Sequence, residues 1–218
     1  MTKIRKTKKV KVWDLLIRFF HWVLVVAFFI AYVSGEEESG LHIYSGYVVL
    51  SLISLRVLWG FIGTKYARFN NFVHGKDVVF RYLKSMISGN PEHYTGHNPA
   101  GGWMVMALIL SLFVTTISGL QVYALEEGAG PLANISIETD VQLVSAAIAD
   151  DHDKEQTHEG IENEADEFWE EFWEEVHEVA ANLTLLLIFM HVAGVYVSSR
   201  LHRENLVKAM ITGYKKAG

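Results

Sequence analysis

The chain is 218 residues long, half of them hydrophobic and 20% charged, with no cysteine and three prolines. Without cysteine there can be no disulfide framework, no thiolate-held iron-sulfur cluster and no covalent haem attachment through C-x-x-C-H. The formal charge of -6 averages two signs that occupy different segments, and four apolar runs hold only two of the 44 charged side chains, Arg18 and Arg56. That segmentation fits neither a soluble globule nor a disordered chain, and nothing in it points to a nucleic-acid partner.

Residues 1–14 carry six Lys and Arg ahead of the first apolar run, 15–34. A cleaved signal peptide would begin the same way, but the length of the run, its internal Arg18 and His21 and the lack of an A-x-A site predict a retained span. A short acidic turn, Gly35 to Gly40, leads into the second run, 41–62, which His42 opens and in which Arg56 lies near the far end. The link 63–101 is basic, and an interfacial helix is predicted around Val78 to Ile87. Its end, His97-Asn98-Pro99, reads as a helix start, with Asn98 as N-cap and Pro99 in the first turn. The third run is 102–123 and the fourth 179–199.

Between them, 124–178 is an acidic loop. Its middle, Asn134 to Gly160, is polar and reads as mobile, whereas Glu162 to Glu178 (ENEADEFWEEFWEEVHE) has aromatic residues at helical spacing and predicts an outward extension of the fourth helix. His152 and His158 lie among acidic neighbours there, more in keeping with a solvated acidic loop than with a metal site.

Each run approaches the roughly 20 residues that cross the hydrocarbon core as a helix. With the amino terminus inside, the segments 1–14, 63–101 and 200–218 hold 16 Lys and Arg and the outer segments only Lys154, while the outer segments hold 21 of the 25 acidic residues. The positive-inside rule then places both termini in the cytoplasm. The expected fold is an all-α membrane protein, a multi-pass four-transmembrane-helix bundle forming one domain over 1–218.

Four histidines sit in or at the edges of the spans, where an ionisable group is costly and usually functional. His177 and His191 are fourteen residues apart, a rotation about 40° short of four turns and a rise of about 21 Å, so both face one side at two levels. His21, on the cytoplasmic half of the first helix, is level with His191; His42, opening the second from outside, is level with His177. A lone interfacial histidine is more often a snorkelling polar residue than a ligand. Four at matched levels suit two iron macrocycles, each taking two axial imidazoles, whereas zinc would be two ligands short at each level. Gly46 and Gly194 are small positions beside two of these histidines.

VWDLLIRFFHW (Val12 to Trp22), LHIYSGY (Leu41 to Tyr47), RVLWGFIGTKYARF (Arg56 to Phe69), HNPAGGWM (His97 to Met104), LEEGAGPLA (Leu125 to Ala133), HEVAANLTLLLIFMHVAGVYVSS (His177 to Ser199) and ENLVKAMITG (Glu204 to Gly213) resemble the bacterial cytochrome b561 family. That family includes the cytochrome b subunits of nickel-iron hydrogenases. The resemblance covers nearly the whole chain outside about 134–166. It implies a bundle with two non-covalent haem b groups, paired as above, and a quinone near the inner haem contacted by His97, Asn98, Gly101 and Gly102, with His191 nearby.

Two irons with both axial positions filled would pass electrons singly, with Arg18, Arg56 or Arg68 placed to meet haem propionates. The expected function is transmembrane electron transfer between a periplasmic redox partner, such as a c-type cytochrome or a hydrogenase-like complex, and the quinone pool. The acidic outer face with Trp169 and Trp173 would dock a positively charged partner. The competing readings are a self-sufficient oxidoreductase reacting with a small oxidant such as superoxide at the outer haem, and a haem-free membrane anchor.

Overall fold

The computed structural model describes residues 9–35, 40–89, 92–133 and 155–216, the side chains of 155–166 and 216 excepted. The basic stretch before Lys9, residues 36–39 of the first turn, and the segment 134–154 with His152 lie outside these residues, as does the His158 side chain. In chain order come β1 (Lys9–Lys11), α1 (Leu15–Val33), α2 (Gly40–Ile62), a 3-10 turn (Phe69–Asn71), α3 (Lys76–Ile87), α4 (Pro99–Glu126), α5 (Glu155–Leu201), α6 (Leu206–Thr212) and β2 (Tyr214–Lys216). Four helices are long and apolar enough to cross a membrane: α1, α2, α4 and the Glu167–Leu201 part of α5.

Local chemistry explains where these helices begin. Asp14 caps α1, its carboxylate accepting from the Ile17 N–H at 2.9 Å. The other carboxylate oxygen accepts from Thr64 Oγ1 at 2.6 Å and Trp59 Nε1 at 3.1 Å, so one side chain starts α1 and ties it to the end of α2. Burial raises the Asp14 pKa, but the hydrogen bonds from Thr64, Ile17 and Trp59 outweigh it and hold the carboxyl below its ordinary value. Helix α4 starts three residues before the apolar run because Asn98 Oδ1 accepts from the Gly101 N–H at 2.7 Å and Pro99 fills the first turn. A helix is present in the basic link as α3, and α5 runs unbroken through the whole Glu162 to Glu178 stretch.

The chain divides into two compact units, residues 1–113 with 183–218, and residues 114–182. In the first, Ala27 and Phe28 of α1, Val49 and Ile53 of α2 and Leu112 of α4 form a buried core with Leu185 and Ile188 of α5 packed on it. Ser111 and Thr184 hydrogen-bond at 2.6 Å across α4 and α5, satisfying two buried hydroxyls in an apolar setting. A second core joins Val12, Trp13, Ile17 and Phe20 to Ala67 and to Ala209 of α6. Beyond it, β1 and β2 pair antiparallel, Val10 opposite Lys215, and Val12 N–H bonds the Gly213 carbonyl at 2.9 Å. The two described ends of the chain are therefore on the same side. Outward-facing apolar side chains such as Phe19, Leu58 and Phe189 stay more than 60% exposed, a surface suited to lipid rather than water. In the second unit, α4 from Val114 and α5 up to Asn182 bury Ser118, Thr115 and Ala180.

Candidate functional site

His21 and His191 come from α1 and α5 within the first unit, each half-buried and within electrostatic reach of the other. The Nδ1 of His21 is buried with no hydrogen-bond partner, as are Arg18 Nε, Arg56 Nη1 and His97 Nδ1. Unmatched buried donors and acceptors are costly and ask for an explanation. Arg56 is the clearest case: it is only 3% exposed, donates from Nη2 to the Ala67 carbonyl at 3.2 Å, and lies over the rings of Phe69 and Phe72. No carboxylate among the described residues forms a salt bridge with it. Arg18 donates from Nη1 to the Ile211 carbonyl, leaving Nε unmatched, whereas Arg68 is exposed.

His97 packs between Trp13 and Phe72, both ring centroids at 4.5 Å. Burial pushes its pKa down to about 3, with Arg56, His191 and Lys215 adding in the same direction, so it is neutral at ordinary pH. Its neighbour Asn98 spends Oδ1 on the α4 cap and donates from Nδ2 to Ser198 Oγ at 3.3 Å. Gly101 lies against that capping amide, and Gly102 is pressed onto the Phe72 carbonyl so closely that a Cβ would collide with it.

His177 is seated within the second unit. Its Nδ1 donates to the Thr115 carbonyl at 2.8 Å, with Ser118 Oγ at 3.3 Å, and a Cβ on Gly119 would stand 2.7 Å from the imidazole Cε1. His42, in the first unit, does the same with the Ala31 carbonyl at 2.9 Å. In the tautomer that donates from Nδ1, the lone pair is on Nε2, the arrangement metal-bound histidines use. Sequence reasoning missed this seat. The signal is Thr115, Ser118 and Gly119, small or hydroxyl residues on one face of an otherwise apolar run.

A family model described as "Prokaryotic cytochrome b561" matches residues 12–213, bounded by the same Val12 and Gly213 that hydrogen-bond each other. The chain belongs to the prokaryotic cytochrome b561 family. It resembles a "Probable Ni/Fe-hydrogenase B-type cytochrome subunit" of Azotobacter vinelandii at 27% identity, over 59% of this chain and 64% of that one. The namesake from Azotobacter chroococcum mcd 1 is 26% identical, over 61% of this chain and 67% of its own length. The chain thus spans about two thirds of the length of these relatives. No solved structure matches it. Membership in a b-type cytochrome family, with four helices able to span a membrane, implies haem b and a role in membrane electron transfer.

The residues present fit that cofactor. Haem b is held by imidazole nitrogens, and in two of the four histidines Nδ1 hydrogen-bonds a backbone carbonyl, which favours the Nδ1–H tautomer. It also brings two carboxylates, and Arg18 and Arg56 hold buried guanidinium nitrogens without a partner. Among the described residues no group of three or more His, Asp or Glu side chains is placed to hold another metal ion.

Proposed function

We propose that this chain moves electrons across the bacterial inner membrane through two haem b groups, exchanging them with a periplasmic redox partner on one side and the quinone pool on the other, with both termini cytoplasmic. His21 and His191 hold the inner haem, and His42 and His177 the outer one. The observation that carries the reading is that His21 and His191, imidazoles from separate spans, lie within electrostatic reach of each other in a unit that also holds buried, unmatched nitrogens of Arg18 and Arg56. When bound, haem b with two imidazole ligands supplies one-electron exchange and leaves no coordination position for oxygen.

The chain's own residues do the rest. The Ala31 and Thr115 carbonyls fix the rings of His42 and His177 before any ligand arrives, so less ordering is needed on binding. Arg18 and Arg56 supply positive charge for propionates, and the Phe69 and Phe72 rings keep the Arg56 end dry. The quinone position lies beside Asn98, Gly101 and Gly102. Because the helix cap uses the Asn98 oxygen and Nδ2 donates one hydrogen to Ser198 Oγ, the second Nδ2 hydrogen is what Asn98 has left for a quinone carbonyl. The relatives' printed names support a hydrogenase-like partner. The exposed acidic face of α5, with Glu170, Glu171, Glu174 and Trp169, suits a cationic one.

Purified protein is expected to show a reduced b-type spectrum with two haems per chain, and His42→Ala or His177→Ala each to remove the same single haem. A preparation with no Soret band after expression with ample haem would overturn the reading in favour of an anchor. Direct turnover of a small oxidant with quinone by the isolated chain would favour the self-sufficient oxidoreductase instead.

A further inference from the structure

Quinone chemistry needs protons as well as electrons, and the first unit contains a line of groups able to move them. At its outer end, Glu204 accepts from His93 Nε2 at 3.1 Å and from Lys215 Nζ at 3.4 Å, with Glu204 and Lys215 largely buried. Lys215 also donates to the carbonyls of Tyr94 and Gly96. The His93 ring meets His202 edge-on, centroids 5.5 Å apart. His202 Nε2 is 3.4 Å from the Tyr82 hydroxyl, Ser198 is near enough to act on that hydroxyl electrostatically, and Ser198 Oγ accepts from Asn98 Nδ2 at 3.3 Å.

We propose that His202, Tyr82 and Ser198 form a proton path from the cytoplasmic face to the quinone position beside Asn98. This rests on the quinone reading given above. A proton relay requires groups that take up one proton and pass on another, which imidazole and hydroxyl do and a carboxamide, whose donor nitrogen and acceptor oxygen keep their roles, does not. The relay therefore ends at Ser198, and Asn98 is a positioning residue that holds the serine oxygen in place. Ser198 follows His191 by seven residues, about 20° short of two turns and about 10 Å along the helix, and His202 follows on the next turn. His191 and Ser198 thus share one face of α5, and His202, just past its end and bonded through its N–H to the Ser198 carbonyl, continues that face.

The path is dry along its length and wet at its mouth. Tyr82 is 2% exposed and Ser198 4%, whereas His202 and His93 reach solvent. Burial holds the His202 pKa below its ordinary value, His93 and Lys215 push the same way, and Glu204 opposes them. Tyr82 is raised by burial and by Tyr94, with Ser198 opposing, so it passes protons without ionising. Tyr94, in turn raised by burial and by Glu92, faces Arg81, which opposes both.

Reduction of one quinone takes two electrons, delivered through the protein from its donor, and two protons, one onto each carbonyl oxygen, giving the quinol. In each transfer, protonated His202 gives its Nε2 proton to the Tyr82 oxygen, Tyr82 gives its own to Ser198, and Ser198 gives its own to the quinone. His202 then recovers a proton from cytoplasmic water.

The test pre-reduces the purified full chain and follows its reoxidation by a soluble short-chain quinone or by ferricyanide, which takes no proton. A pH-indicator dye reads proton uptake. Tyr82→Phe and Ser198→Ala are expected to slow the quinone reaction and its proton uptake at least tenfold at pH 8, with ferricyanide rates and haem spectra unchanged. His202→Gln should do the same, and guards against a Tyr82 variant that fails to fold. Quinone rates equal to wild type in Ser198→Ala and His202→Gln, with haem content intact, would overturn the path. A wild-type protein that ferricyanide oxidises and quinone does not would overturn the quinone reading itself, and the path with it.

Discussion

Histidine is held in two different ways in this molecule. In the 114–182 unit, His177 is fully oriented by its own surroundings: a carbonyl takes its Nδ1 proton and Gly119 clears room for the ring. In the other unit, the buried Nδ1 of His21 has no hydrogen-bond partner among the described residues, and Arg18 Nε and Arg56 Nη1 are likewise unmatched while another nitrogen of each donates to a backbone carbonyl. The first arrangement is finished without a ligand, and its cost is met by ordinary hydrogen bonds. The second is complete only when something else supplies the missing partners. On the proposed two-haem reading, one residue type is preorganised at one site and left to be completed by its cofactor at another.

The strongest way to break the comparison is His191→Ala, expected to abolish one of the two haems outright and leave the His177-linked spectrum intact, read by haem extraction and low-temperature optical spectra. Loss of both haems would mean that the sites are not separable. Gly119→Ala comes next: its Cβ would meet the His177 ring, so the ring must move at a cost of about 1–3 kcal/mol. Thermal unfolding should register the loss, and only the His177-linked spectrum should shift.

Arg56→Met sharpens the other side. Removing a buried charge without an ion-pair partner should leave the apoprotein as stable or slightly more so, while haem retention weakens about tenfold, or about 1.4 kcal/mol. Competition for haem by apomyoglobin would measure it. The smallest effect is Asp14→Ala, about 1 kcal/mol for a lost N-cap. Because the folded carboxyl has a pKa below its ordinary 3.8, its contribution is present above that value and fades as pH falls through the lower folded one. The deficit of the variant should therefore be full at pH 7 and shrink in strong acid.

How much of this was written in the sequence depends on how local the cause is. The spans were legible because lipid selects an uninterrupted apolar run, and the ends of α4 because Asn98-Pro99 is a short-range signal. The histidine spacing within α5 needed only helical geometry. What escaped was contact between distant segments. Arg56 could be placed near a helix end but not under Phe69 and Phe72, and Glu204 gave no hint of Lys215 and His93. Nor are Lys9–Lys11 and Tyr214–Lys216 long enough to announce themselves: the first alternates over only three residues and the second not at all.

That last pairing sets the order of events at birth. Lys11 and Tyr214 are 203 residues apart, and synthesis at about 5–20 residues per second leaves the earlier strand waiting roughly 10–40 s for its mate. The latch between β1 and β2 can close only once translation has passed Lys216, after all four apolar helices have left the ribosome. Membrane insertion precedes the final fastening of the chain, and a stalled ribosome would release a protein whose two ends never meet.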